Sequence, residues 1–191
     1  MNFVHLHNHS EYSLLDGGKG LACTFSPPFF DIEVLINEIY SASPFVTVIS
    51  PYFISGQMEF TLDADFNNPF PNEDNFFYGL LLPWSKELIN KHITIKVKQS
   101  FSKDLGFGSS SALIAGLSYA LYFFKYKQEL KLDSEELWEK ISASIKHTQG
   151  SGSGYDVGVQ LAALISPNNS KEKITFWEYQ NQTNHIVPII K

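Results

Sequence analysis

The chain predicts a mixed α+β domain rather than an alternating β-α-β chain, and three observations carry that expectation. His92–Lys98 alternates apolar and polar residues, the pattern of a half-buried strand. Ser110–Tyr126 instead spaces Leu113, Leu117 and Leu121 four residues apart, with Ala112, Ala115, Gly116 and Ala120 between them, which reads as a long, mostly buried helix. The order of elements is strands first, then strand, loop, helix, helix, loop, helix and a final strand, so strands and helices are largely segregated.

Taken in order, Phe45–Ile49 and Glu59–Leu62 are short runs rich in β-branched and aromatic residues and read as strands. Ser26-Pro27-Pro28 breaks the chain before them. Asp63–Asn75 holds four acids, four Asn and two Pro, and reads as a long surface excursion. After the helix Ser110–Tyr126, Asp133 lies three residues before Glu136, a capping-box-like start. Leu137, Ile141 and Ile145 then form one apolar stripe of a helix that ends near Thr148. Asp156–Leu164 reads as a further buried helix, Ser166–Lys171 as a loop, and Ile174–Tyr179 as a strand.

Composition narrows the function. Over 191 residues, 43% hydrophobic and 15% aromatic content is enough for a buried core and argues against disorder. The balance of 14 basic against 20 acidic residues, net −6, is wrong for binding nucleic acid mainly through phosphate neutralisation. No apolar run approaches the ~20 residues of a membrane span. The N-terminus lacks a basic region followed by an apolar stretch, so no secretory signal is read, and the lone Cys23 excludes an internal disulfide. A cytoplasmic protein is expected. Oligomeric state stays open, a homodimer among the states permitted.

Two glycine loops precede buried helices. Leu105-Gly106-Phe107-Gly108-Ser109-Ser110-Ser111-Ala112 follows the His92–Lys98 strand and opens the long helix. Glycines let a ligand approach the amides, and the unpaired N–H groups and dipole of a helix start attract anions, phosphate above all. The spacing is not that of a Walker loop, because no Lys follows the second Gly. The alternative is an ordinary Gly turn with a Ser cap. Gln149-Gly150-Ser151-Gly152-Ser153-Gly154-Tyr155-Asp156 repeats the arrangement about forty residues later and adds a carboxylate at the helix start. Its alternative is a Gly/Ser linker capped by Asp156.

Gly106–Ala112 resembles the G-L-G-S-S-A-A signature of the GHMP small-molecule kinases, with Phe107 for Leu and Ser111 for the first Ala. Gly152-Ser153-Gly154-Tyr155-Asp156-Val157 is similar to the S-G-x-D element of the mevalonate and phosphomevalonate branches. The resemblance implies the ribosomal protein S5 domain 2-like fold of a GHMP N-terminal domain over residues 1–191, with an acidic excursion at about 63–75. The family's C-terminal ferredoxin-like domain is expected to be absent, because no third Gly-rich motif occurs. By the same resemblance Gly106, Phe107, Gly108, Ser109, Ser110, Ser111 and Ala112 would wrap ATP, and Ser110 would coordinate Mg²⁺. Asp156 would be the catalytic group that orients or deprotonates the acceptor hydroxyl. Glu11, Tyr12, Gly152, Ser153 and Gly154 would face the acceptor, a small metabolite such as mevalonate or phosphomevalonate. The implied chemistry is phosphoryl transfer, in which positioning and charge neutralisation carry most of the catalysis.

The N-terminus carries two resemblances. Glu11-Tyr12-Ser13-Leu14-Leu15-Asp16-Gly17-Gly18-Lys19-Gly20-Leu21-Ala22 is similar to the first GHMP motif, but Val4-His5 stand where the family has Gly-Lys, and Lys19 is the one nearby substitute considered. A GHMP-fold binding protein without turnover is therefore a second reading. Phe3–Gly17 also resembles the opening of PHP-domain metal-dependent phosphoesterases, in which His5 and His7 would be ligands; on a strand His5, His7 and His9 share one face. No later His cluster supports that third reading. Asp63-Ala64-Asp65-Phe66-Asn67 opens like an EF-hand loop, but Asn68 replaces the Gly and Pro69 and Pro71 interrupt it. Lys125, Lys127 and Lys131 read as the solvated end of a helix, favoured by its dipole.

Overall fold

A computed structural model describes residues 4–6, 19–25, 30–39, 43–51, 53, 55–62, 75–99, 109–128, 131–132, 134–150, 152, 154–165, 174–180 and 185–188. Strands β3 (Phe30–Glu38), β4 (Phe45–Ile49), β5 (Gln57–Thr61) and β6 (Lys91–Gln99) form one sheet in the order β3-β6-β4-β5. β6 runs antiparallel to β3 and parallel to β4, and β4 pairs with β5 as a hairpin. Alternation sets its faces: Ile93, Ile95 and Val97 of β6 and Val46 and Val48 of β4 are buried, whereas Lys98 and Ile49 are exposed. On the outer face Glu33 lies opposite Lys96 at 3.3 Å, a cross-strand pair that fits the register.

A second sheet joins the two ends of the chain. β1 (Val4–Leu6), β2 (Lys19–Phe25), β7 (Ile174–Gln180) and β8 (His185–Pro188) are antiparallel in that order. His5 is thereby paired with Thr24 in β1, and His7 and His9 lie outside the described residues. Among the described residues no group of three His, Cys, Asp or Glu is placed to hold a metal ion.

Four helices complete the fold among the described residues: α1 (Asn75–Leu81), α2 (Ser109–Tyr126), α3 (Glu135–Gln149) and α4 (Tyr155–Ile165). A 3₁₀ segment, Leu82–Leu88, continues α1 where Pro83 removes a donor. α2 is buried from Ser111 to Ser118 and presses on β3 so closely that a Cβ on Gly116 would stand 2.5 Å from Ile32 Cδ1. Gly79 plays the same part in α1, where a Cβ would meet the His147 carbonyl oxygen of α3 at 3.0 Å. The core runs from the inner face of the first sheet through α1, α2, α3 and α4, with Trp84, Leu80, Leu117, Leu121 and Leu161 at its centre. None of the described helices is long and apolar enough to cross a membrane.

The expected strands and helices are present with bounds shifted by one or two residues, and the α+β order holds. β3, α1, the 3₁₀ segment, β1, β2 and β8 are additional. Asn75 belongs to α1 and not to the excursion before it; residues 63–74, including the EF-hand-like stretch, lie outside the described residues. α3 is capped by Ser134, whose hydroxyl accepts from the Leu137 N–H at 3.4 Å. With Ser134 as the cap, Glu136 stands at the second helical position and not the third, so it is not a box partner; its carboxylate accepts from Lys125 and Tyr126.

Candidate active site

The site follows from how α2 and α4 meet. α2 begins with Ser109 and Ser110 and has no acid in its first turn, so the partial positive charge of that helix end is not matched by its own sequence. Ser110 is half-buried. Ser111 and Ala112 are each 2% exposed, so both face the interior and can offer an external ligand only their backbone. The Ser111 hydroxyl accepts a hydrogen bond from Gln160 Nε2 of α4 at 3.0 Å.

α4 starts where Gly154, in the left-handed region at φ +70°, turns the chain, and its carbonyl accepts from the Gly158 N–H at 2.9 Å. Gly154 and Gly152 both pass over Ile145 of α3: a Cβ would lie 3.1 Å and 2.9 Å from that side chain respectively. Gly152 serves the close approach to α3, and Gly154 serves both that approach and the left-handed turn into α4. Asp156 is half-buried in the first turn of α4. It lies four residues, ~6 Å of helix rise, before Gln160. The Ser111–Gln160 bond thus brings Ser110 and Asp156 to within about a helical turn of one junction. A helix start suited to an anion and a carboxylate suited to a hydroxyl proton thus lie on two helices tied together near their N-terminal ends.

Gly106, Phe107, Gly108, Ser153, Glu11 and Tyr12 lie outside the described residues, and Ser109 is placed by its backbone at the start of α2. Gln160 was not singled out in the sequence. Its signal was a lone amide in an otherwise apolar helix, one turn after Asp156.

The opposite end of α2 is built differently. Lys125 pairs with Glu136 of α3 and, at 3.1 Å, with Glu87 of the 3₁₀ segment. Lys140 reaches the same Glu87 oxygen at 2.9 Å, donates to the Pro83 carbonyl at 2.8 Å and lies over the Trp84 ring. Burial raises the Glu87 pKa, but the hydrogen bonds from Lys140 and Lys125 outweigh it and hold the carboxyl below its ordinary value. The hydrogen bond to Glu136 holds Lys125 above the ordinary lysine range. Lys125, Lys127 and Lys131 are all exposed, as expected of a solvated end, and Lys125 is in addition the hub of an ion-pair cluster, while Lys127 lies over the Phe124 ring.

Residues 75–163 match the family described as GHMP kinases N terminal domain. Among solved structures, galactokinase of Lactococcus lactis, complexed with galactose, is 17% identical with a TM-score of 0.64, covering 98% of this chain and 45% of its own. Mevalonate kinase of Methanococcus jannaschii is also 17% identical, with a TM-score of 0.59, and covers 100% of this chain and 54% of its own. A D-glycero-D-manno-heptose 1-phosphate kinase from Bacteriodes thetaiotaomicron is 14% identical with a TM-score of 0.59, covering 100% and 58%. No curated protein matches by sequence. The chain has the fold of a GHMP kinase N-terminal domain. It spans about half the length of the solved GHMP kinases it matches. The matched segment begins at α1 and ends in α4, so it contains both helix starts and their junction. Of the PHP-like opening, Val4–Leu6 form β1, and the rest of it lies outside the described residues.

Proposed function

We propose that the chain is the nucleotide-binding part of an ATP-dependent small-molecule kinase. The observation that supports this reading is a pair of helices joined near their starts by the Ser111–Gln160 bond: Ser110 on α2, with no acid of its own in that turn, and Asp156 in the first turn of α4. The residues present fit a nucleotide phosphate with Mg²⁺, because an unmatched helix N-terminus takes the anion and a hydroxyl and a carboxylate are suitable oxygen ligands. Bound ATP would supply the γ-phosphoryl group. The α2 amides with the Gly106–Ser109 loop would hold the phosphates, Ser110 would give a hydroxyl to the metal, and Asp156 would accept or orient the proton of the acceptor hydroxyl. The acceptor class is a hydroxyl- or phosphate-bearing small metabolite; the likeness of Gly152–Val157 to the mevalonate branches favours mevalonate or phosphomevalonate.

A thermal shift with Mg-ATP, then with each acceptor, tests the reading: stabilisation by nucleotide is expected, and none from any nucleotide would overturn it. In a chain that transfers phosphate, Asp156→Asn lowers kcat by about 10²–10⁴-fold with nucleotide affinity nearly unchanged. Unchanged turnover removes Asp156 from the mechanism. Val4-His5, standing in β1 where the family has Gly-Lys, favours a second reading, a domain that holds nucleotide without turnover. Nucleotide stabilisation without phosphate transfer would select it.

A further inference from the structure

The Ser111–Gln160 contact is an unusual element for a helix interface. Gln160 is fully buried and Ser111 is 2% exposed, while their neighbours Ala112, Ala115, Val157 and Leu161 are apolar. The Gln160 amide has two polar ends. One donates to Ser111 Oγ at 3.0 Å, and the other, Oε1, is buried without a partner among the described residues. A buried amide with an unmade bond carries a cost that an apolar side chain of similar length avoids. Stability alone therefore does not account for a glutamine here.

The location offers a reason. A residue four positions after Asp156 lies on the same helix face, and a helical side chain leans toward the N-terminus of its helix, so the Gln160 amide reaches back toward the Asp156 turn. Its partner directly follows Ser110 in the first turn of α2. The bond thus links the turn assigned to nucleotide phosphate with α4 one turn after the Asp156 turn assigned to the acceptor hydroxyl. A directional bond fixes the sliding and rotation of two helices that apolar contacts alone leave soft. Phosphoryl transfer is sensitive to such offsets, since about 1 Å of misplacement can cost about a hundredfold in rate.

We propose that Gln160 is a positioning residue whose bond to Ser111 holds Asp156 in register with Ser110, so that occupancy at one helix start is transmitted to the other. This rests on the kinase reading above. The test is amide hydrogen exchange on the full chain with and without Mg-ATP. In the wild type, Mg-ATP protects the first turn of α2 and also that of α4. In Gln160→Leu, α2 stays protected, Kd for Mg-ATP stays within about threefold, and the protection of α4 is lost; Ser111→Ala also loses the protection of α4, and Ser111→Thr, which keeps the hydroxyl, retains it. Gln160→Leu melts no lower than the wild type, because the orphaned oxygen is gone. Protection of α4 that persists in both Gln160→Leu and Ser111→Ala overturns the positioning role. So does wild-type protection that reaches α2 and not α4. Failure of Mg-ATP to protect α2 in the wild type overturns the kinase reading instead, and the positioning role with it.

Discussion

The two ends of α2 handle the same electrostatic problem in opposite ways. At the C-terminal end the protein supplies its own charge: Lys125 sits in the last turn, Glu87 and Glu136 pair with it, and Lys140 shares Glu87, which makes a cluster with α3 and the 3₁₀ segment. At the N-terminal end the helix has serines and no acid, and the nearest side-chain link is the neutral Ser111–Gln160 bond. A helix dipole matched at one end and left unmatched at the other separates a structural end from a binding end. A helix selected for stability alone would carry an acid in the first turn as readily as a base in the last.

Three substitutions probe that contrast, in descending order of effect. Ser110→Asp fills the unmatched end. A carboxylate ~4 Å from a phosphate costs about 4 kcal/mol at an effective dielectric of 20, so the affinity for metal-free ATP, titrated in the presence of a chelator, falls by at least about a hundredfold. The same substitution leaves the melting temperature unchanged or slightly raised, because an acid suits a helix start by about 0.3–1 kcal/mol. Loss of stability together with loss of affinity would mean that the end is structural after all.

Glu87→Gln opens the closed end. Glu87 and Lys140 are 16% and 15% exposed, between the surface and buried regimes, so removing the charge is expected to cost about 1–3 kcal/mol, or roughly 2–12 °C, with nucleotide affinity unchanged. The pH dependence has a defined sign. Because the folded pKa of Glu87 lies below its ordinary 4.5, its contribution is present above that value and is lost as pH falls through the lower folded value. Melting scans from pH 7 to pH 3 should show a steeper acid limb for the wild type than for Glu87→Gln; parallel limbs would remove Glu87 from the cluster's energetics.

The smallest effect is expected at Ser134, which caps α3 two residues before Glu136, on the side of the charged cluster and away from the α2 start. Ser134→Ala should lower stability by about 1 kcal/mol in a denaturant titration and leave Mg-ATP binding untouched. Any change in affinity there would show that the α3 start is coupled to the α2 corner.

Much of the scaffold could be read from local pattern. The period-2 alternation of His92–Lys98 and the fourfold leucine spacing of α2 each state which face is buried, and burial agrees. β3 alternates just as clearly over Phe30–Glu38 but lies beyond the Pro27-Pro28 break, and α1 is apolar on nearly every side, so its period carries no signal. The capping motif is displaced in register: Ser134 is the cap, which puts Leu137 and not Glu136 at the third helical position, and the Glu136 carboxylate accepts from Lys125 and Tyr126 of α2 instead.

The sequence by itself determined the fold class, the two glycine-serine loops and the helices that follow them, because backbone periodicity and helix-start chemistry are local properties. Only the tertiary structure decided which serine faces inward, which lysine is a hub and which glutamine joins the two helix starts. Those outcomes depend on what lies opposite each side chain, and the partners stand 49 residues away for Ser111 and 38 for Lys125.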